Sequence, residues 1–228
     1  MTPRKRFIAA LERRPITGRV PHFELQFLLT MEAFRRVHPS YRLYTYWDQM
    51  EPKERELYRR DAIDVYMRIA ERFEHSAIYL QPKPNRPEEW QRWIDLARDR
   101  AGDAYCILLP GDATFAIPDG AHMEQFACRL ADEPQKVKEE AEAMVNAAIE
   151  RAEGFRRAGG VDGFALCCDY CFNNGPFLSP AQMAEFISPY LAKLTKAYRD
   201  MGFYVIKHTD GNIMPILDQL VQTNPHAL

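Results

Sequence analysis

Apolar positions change their spacing several times along the chain, and the changes mark out its elements. From Pro52 to Phe73 the residues Leu57, Ile63, Tyr66, Ile69, Ala70 and Phe73 recur at three and four, which predicts an amphipathic helix. Further helices are predicted from Arg4 to Arg13, with Thr2 as N-cap and Pro3 at the first position, and from Pro87 to about Arg100, carrying Trp90, Trp93 and Leu96. Met123 to Leu130 forms a short helical piece. Pro134 opens a long helix to Ala158, with Val137, Ala141, Met144, Ala148, Ala152 and Phe155 inward and Gly159-Gly160 as its stop. Ser179-Pro180 caps a helix to about Met201 with Met183, Phe186, Tyr190, Leu194 and Tyr198 inward, and Asn212 to Val221 forms a last one.

Between these lie runs that read as strands: Arg19–Leu25, Ser76–Leu80, Tyr105–Leu109, Val161–Cys168 and Phe203–Ile206. Tyr105–Leu109 is apolar throughout, the pattern of a parallel strand covered on both faces. Leu28 to Met50, punctuated by His38-Pro39-Ser40, reads as two short helices or one helical excursion. Five alternations of strand and helix predict an α/β fold with a mostly parallel sheet. A complete eight-stranded barrel usually takes roughly 250 residues, so 228 residues fit a barrel cut short or a five-stranded open sheet.

Composition narrows the function classes. The formal charge is -2 and the pI about 6.3, so no field draws the chain onto nucleic acid or an anionic membrane. The basic opening, Arg4-Lys5-Arg6, is interleaved with Phe7, Ile8 and Leu11 at helical spacing and reads as a solvated helix face. No apolar run approaches the ~20 residues of a membrane span, and Met1 is not followed by a signal-peptide core, so a cytoplasmic location is expected. Five cysteines, an odd number, in apolar or strand-like surroundings point to reduced thiols.

Candidate chemistry concentrates in residues 161–212. In a strand–helix–strand unit both parallel strands finish at one edge, so the polar groups after Cys168 and after Ile206 should face one another. His208 and Asp210, at i and i+2 beyond a strand, can both turn into such a mouth as metal ligands; the alternative is an ordinary turn at Asp210-Gly211. Asp169 either orients His208, binds substrate or caps its own turn. Asp112, after Pro110-Gly111, is either a catalytic carboxylate or part of a turn. Tyr170, Phe172 and Asn174 could line a substrate pocket, and Glu24, near the end of the first predicted strand, could add a metal ligand. Cys168-Asp-Tyr-Cys171 has the spacing of redox and zinc motifs, but no second pair completes a structural zinc site.

Several phrases resemble the uroporphyrinogen decarboxylase superfamily, which includes corrinoid-linked methyltransferases: MTPRKRFIAALERRP followed by RVP, LLPGDATF, NNGPFLSPAQMAEFISPYLAKLTKAY and, most specifically, IKHTDGNIMPILDQL. The resemblance covers essentially the whole chain. It implies one (β/α)8 TIM-barrel domain over residues 1–228, represented by its N-terminal five βα units and ending as strand six begins near Ala227-Leu228. The decarboxylases carry an arginine-rich segment after strand one, where this chain reads FELQFLLTMEAFRR, and an aspartate at strand two, where it has Ser76-Ala77-Ile78-Tyr79-Leu80. Both departures favour the methyltransferase side. Those relatives hold zinc through His-x-Cys-Gly and a later cysteine, and here His208-Thr209-Asp210-Gly211 places an aspartate at the cysteine position.

The resemblance therefore implies metal-assisted methyl transfer with a small-molecule substrate, a divalent metal such as zinc held by His208, Asp210 and Glu24, and a corrinoid carried on a partner protein. Porphyrin biosynthesis is the alternative, a tetrapyrrole decarboxylation relying on Asp112 or Asp169. A further alternative is a truncated half-barrel, inactive alone, that forms a homo-oligomer through exposed strand edges.

Overall fold

Residues 1–228 are described by a computed structural model, and they divide into two compact units, Met1–Leu109 with Ala158–Asp162 and Pro110–Arg157 with Gly163–Leu228. In the first unit, helix α1 (Pro3–Leu11) starts as its sequence dictates, with the Thr2 hydroxyl accepting from Lys5 N and Pro3 needing no partner for a missing N–H. The segment that follows is irregular apart from the short helix α2 (Thr30–Phe34) and two 3₁₀ turns, Pro39–Tyr41 and Trp47–Gln49. Helix α3 (Pro52–Arg72), strand β1 (Ala77–Tyr79), helix α4 (Pro87–Ala101) and strand β2 (Cys106–Pro110) complete it. Strands β1 and β2 are parallel, with Ala77 opposite Cys106 and Tyr79 opposite Leu108.

Packing in this unit follows the predicted stripes, reinforced by buried ion pairs. Arg59 of α3 grips Glu89 of α4 through two hydrogen bonds of 2.7 and 2.9 Å and lies over the ring of Trp47. Trp47, Trp90 and Trp93 are all buried here. Asp162 receives Arg4, Arg98 and the Ile107 amide, which ties α1 and α4 to the start of β2.

The predicted strand at Arg19–Leu25 does not form a ladder. One backbone bond, Ser76 N to His22 O at 2.7 Å, is what it makes with the residue preceding β1, and Pro21 has no N–H with which to extend the pairing.

The second unit holds helices α5 (Met123–Asp132) and α6 (Pro134–Ala158), strand β3 (Gly163–Leu166), a small antiparallel hairpin β4 (Cys171–Phe172) and β5 (Gly175–Pro176), helices α7 (Pro180–Phe186) and α8 (Ser188–Asp200), strand β6 (Tyr204–Lys207) and helix α9 (Leu217–Gln222). β3 and β6 are parallel in a register that sets Gly163 opposite Tyr204 and Leu166 opposite Lys207. Tyr198 of α8 stacks on Phe164 of β3, centroids 4.2 Å apart, and donates its hydroxyl proton to Gly111 O.

Two details of the predicted helices change. The single helix from Pro180 to Met201 is broken at Ile187 because Pro189 lacks the N–H that would continue the ladder. Met183, Phe186, Leu194 and Tyr198 face inward as expected, while at the break Leu191 rather than Tyr190 is buried; in α6, Val145 takes the place expected for Met144. Where a sixth strand was expected, Ala227 makes one parallel bridge to Ile206. The succession of parallel strands joined through helices is that of a partial (β/α) barrel. No helix is long and apolar enough to cross a membrane.

Candidate active site

Strands β3 and β6 end side by side, the last rung being His208 N to Leu166 O at 2.8 Å. Beyond it the two chains separate into loops that are stitched together by side chains and backbone. Tyr170 N donates to Thr209 Oγ1, Asp210 N to Asp169 Oδ1 and Asn212 N to Phe172 O, all at 2.9 Å. Gly211 makes the close approach possible. Its φ is +85°, and a side-chain carbon there would come within 2.6 Å of Phe172 O.

This stitching brings Asp169, His208 and Asp210 together. His208 Nε2 lies 3.5 Å from Asp210 Oδ1 and 3.8 Å from Asp169 Oδ1, and one ligand atom from each of the three residues falls within 4.8 Å of the others. All three keep access to solvent, Asp210 most of all at 77% side-chain exposure. The grouping of His208 with Asp210 follows the sequence reading, but the third member is Asp169. Glu24, expected there, belongs to the first unit, on irregular and exposed backbone beside Leu25, Phe27 and His38.

The donor set suits a divalent cation. Donors bound to a tetrahedral zinc at about 2.0–2.2 Å stand roughly 3.3–3.6 Å apart, close to the two separations at His208. Two carboxylates and an imidazole favour zinc or a harder ion over soft, thiolate-seeking metals. The neighbouring thiols are turned to other uses: Cys168 Sγ lies against Thr114 O, and burial followed by the charge of Asp112 pushes its pKa up to about 12. Burial likewise raises that of Cys171.

Directly beneath lies a second, buried cluster that the sequence reading did not include as a whole. Lys207, 2% exposed, directs its ammonium to Asp112 Oδ2 at 2.9 Å, to Cys168 O at 2.7 Å and to Leu166 O at 3.3 Å, and rests 4.1 Å from the centre of the Tyr170 ring. Asp112 also accepts from Cys168 N and, through its other oxygen, from Thr114 N and Oγ1. Burial alone would raise the Asp112 pKa; the Lys207 charge and these donors outweigh it and hold the carboxyl below its usual range. Thr114 Oγ1 is in turn 2.5 Å from Tyr170 OH.

Asp112 is therefore spoken for by an ion pair and a turn. Tyr170, expected at a substrate surface, is fully buried because its ring supports Lys207; burial, then the charge of Asp112, raises its pKa well above that of a free phenol. Phe172 and Asn174, on the β4–β5 hairpin, are exposed, as substrate-contacting residues must be. The signal for the buried pair was present in the sequence: the strands CILLP and YVIK are each followed or closed by one charge, Asp112 and Lys207, and buried opposite charges seek each other.

Comparison with known proteins bears on this half of the chain. The uroporphyrinogen decarboxylase (URO-D) family model matches residues 114–228, which include α5 to α9 and all three residues of the cluster. The chain belongs to the URO-D family. A solved structure, a methyltransferase from Methanosarcina mazei, aligns over 99% of this chain and 75% of its own with a TM-score of 0.71 at 14% identity, a likeness of fold. No curated protein matches the chain.

Proposed function

We propose that this URO-D family member is a metal-assisted methyltransferase acting on a small molecule, with a corrinoid protein as its methyl-carrying partner. The observation that carries the reading is the convergence of Asp169, His208 and Asp210 at the ends of two neighbouring parallel strands, the edge at which α/β sheets keep their chemistry. These three residues would hold the metal, zinc by their donor types. A bound zinc would polarise an acceptor and lower its pKa, making it a better nucleophile. The chain's own part is to orient the ligands: Asp169 Oδ1 accepts the Asp210 amide and so fixes both carboxylates relative to His208. Phe172, 45% exposed next to this loop, offers an apolar face to the substrate.

Metal content and cobalt titration of the purified chain test the reading, together with methyl transfer from methylcobalamin to a thiol. One equivalent of divalent metal is expected in the native protein, with binding weakened at least about 10-fold in His208→Ala and Asp169→Ala. A native protein without metal, whose methyl transfer is untouched in His208→Ala, would sink the reading.

Tetrapyrrole decarboxylation draws no support from Asp112, whose two oxygens are occupied by Lys207, Thr114 and Cys168. Self-association through the outer side of β6 draws no support from its backbone, since Val205 N and O and Lys207 N are already bonded to His226 Nδ1, His226 N and Ala227 O.

A further inference from the structure

Lys207 is an unusual residue with which to close a buried strand. A lysine ammonium taken out of water needs a full set of partners, and here each of its three N–H groups has one: Asp112 Oδ2, Cys168 O and Leu166 O. As a source of stability alone such a pair is a poor choice, because apolar residues of similar volume commonly do as well or better. What an apolar residue would not do is fix backbone carbonyls in place.

The carbonyls concerned stand at the point where β3 and β6 part. Leu166 O closes the ladder by accepting His208 N, and Cys168 O belongs to the residue immediately before Asp169. Lys207 itself immediately precedes His208. Asp112 holds the same loop from the other side, accepting Cys168 N with the oxygen that pairs with Lys207. One buried ammonium thus joins the residue before Asp169 to the residue before His208 at the first step beyond the ladder, beneath the bonds of Tyr170 to Thr209 and of Asp210 to Asp169 that stitch the loops farther out.

We infer that Lys207, seated on Asp112, is a positioning residue that sets the separation of Asp169 from His208 and so preorganises their cluster for a divalent cation. The inference rests on the metal reading of that cluster for its ligand, but its geometric content stands by itself. Supporting groups of this kind commonly change metal affinity 10–100-fold without touching the metal, and a looseness of about 1 Å is enough to disable a site.

The test pairs Lys207→Met with Asp112→Asn, so that neither charge is left buried alone, and compares the double variant with the native chain in three measurements: thermal unfolding, Co²⁺ affinity with its visible spectrum, and a crystal structure. The expected result is a folded variant with near-native melting, Co²⁺ binding weakened roughly 10–100-fold, an altered cobalt spectrum, and Asp169 and His208 moved apart by about 1 Å or more. Affinity lost while melting is kept separates positioning from general support of the fold. A folded variant with native affinity and native separation overturns the inference. If the native chain binds no Co²⁺, the metal reading fails and the separation alone decides whether Lys207 positions the pair. Should the variant not fold, Lys207→Gln with Asp112→Asn, which retains hydrogen-bonding capacity at both positions, is judged by the same three measurements.

Discussion

At the scale of single residues, the cluster of Asp169, His208 and Asp210 depends on the backbone around it as much as on its own side chains. Gly211 is the sharpest instance. Its positive φ and the nearness of the 171–172 backbone leave no room for a side chain, and backbone cannot yield as a flexible side chain can. Gly211→Ala is expected to lower stability by about 1–3 kcal/mol and to pull the 208–212 loop from the 169–172 loop, which on the proposed metal role of the cluster also weakens Co²⁺ binding; calorimetric melting and cobalt titration read the two effects. At this scale the sequence disclosed His208, Asp210 and Asp169 because strand ends are countable along a chain. It did not disclose that Tyr170 is buried or that Asp112 is paired, because which aromatic or carboxylate lies beneath Lys207 is fixed by the crossing of three segments distant in sequence. Glu24 lies on irregular backbone for a related reason: the strand expected to carry it does not pair, Pro21 having no N–H to offer.

At the scale of elements, helices were the more legible. The period of α3, α4 and α6, and the caps at Thr2 and Ser179, are local properties and appear where expected. The break between α7 and α8 is also local, at Ser188-Pro189, and puts Leu191 inward in place of Tyr190 while Leu194 and Tyr198 stay where expected. What could not be read is the ion pair between α3 and α4. Arg59 and Glu89 are each at most 4% exposed, so removing one partner strands a buried charge. Arg59→Met alone is expected to cost about 3–5 kcal/mol in chemical unfolding, whereas Arg59→Met with Glu89→Leu should return close to the native value. A double variant as unstable as the single one would show that the pair does more than neutralise itself.

At the scale of the whole molecule, acid should act on the two units through different groups. In the first unit His38 and His75 are buried, and burial, then Arg42 for His38 and His22 with Arg19 for His75, lowers each pKa to about 4. The unfolded chain takes up protons at these residues near the ordinary value of about 6.5, so between about 6.5 and 4 it binds more protons than the folded one and stability falls with falling pH. Asp112, in the second unit, has a depressed pKa, so its contribution is present above the usual 3.8 and fades only below it. Chemical unfolding at stepped pH should therefore show α3 amides losing hydrogen-exchange protection before those of β6 as the pH drops from 6.5 to 4. Equal loss in both would count against the histidines as the cause.

The placement of the tryptophans gives these units separate optical signatures. All three indoles, Trp47, Trp90 and Trp93, belong to the first unit, and the second contains tyrosine but no tryptophan. Emission excited at the red edge of the protein band is thus private to one unit, and its colour and quenching by iodide record that unit's loosening in unlabelled protein. A tryptophan introduced at exposed Phe172 would give the 169–172 loop a fluorophore of its own, distinguishable from the buried three by its wavelength.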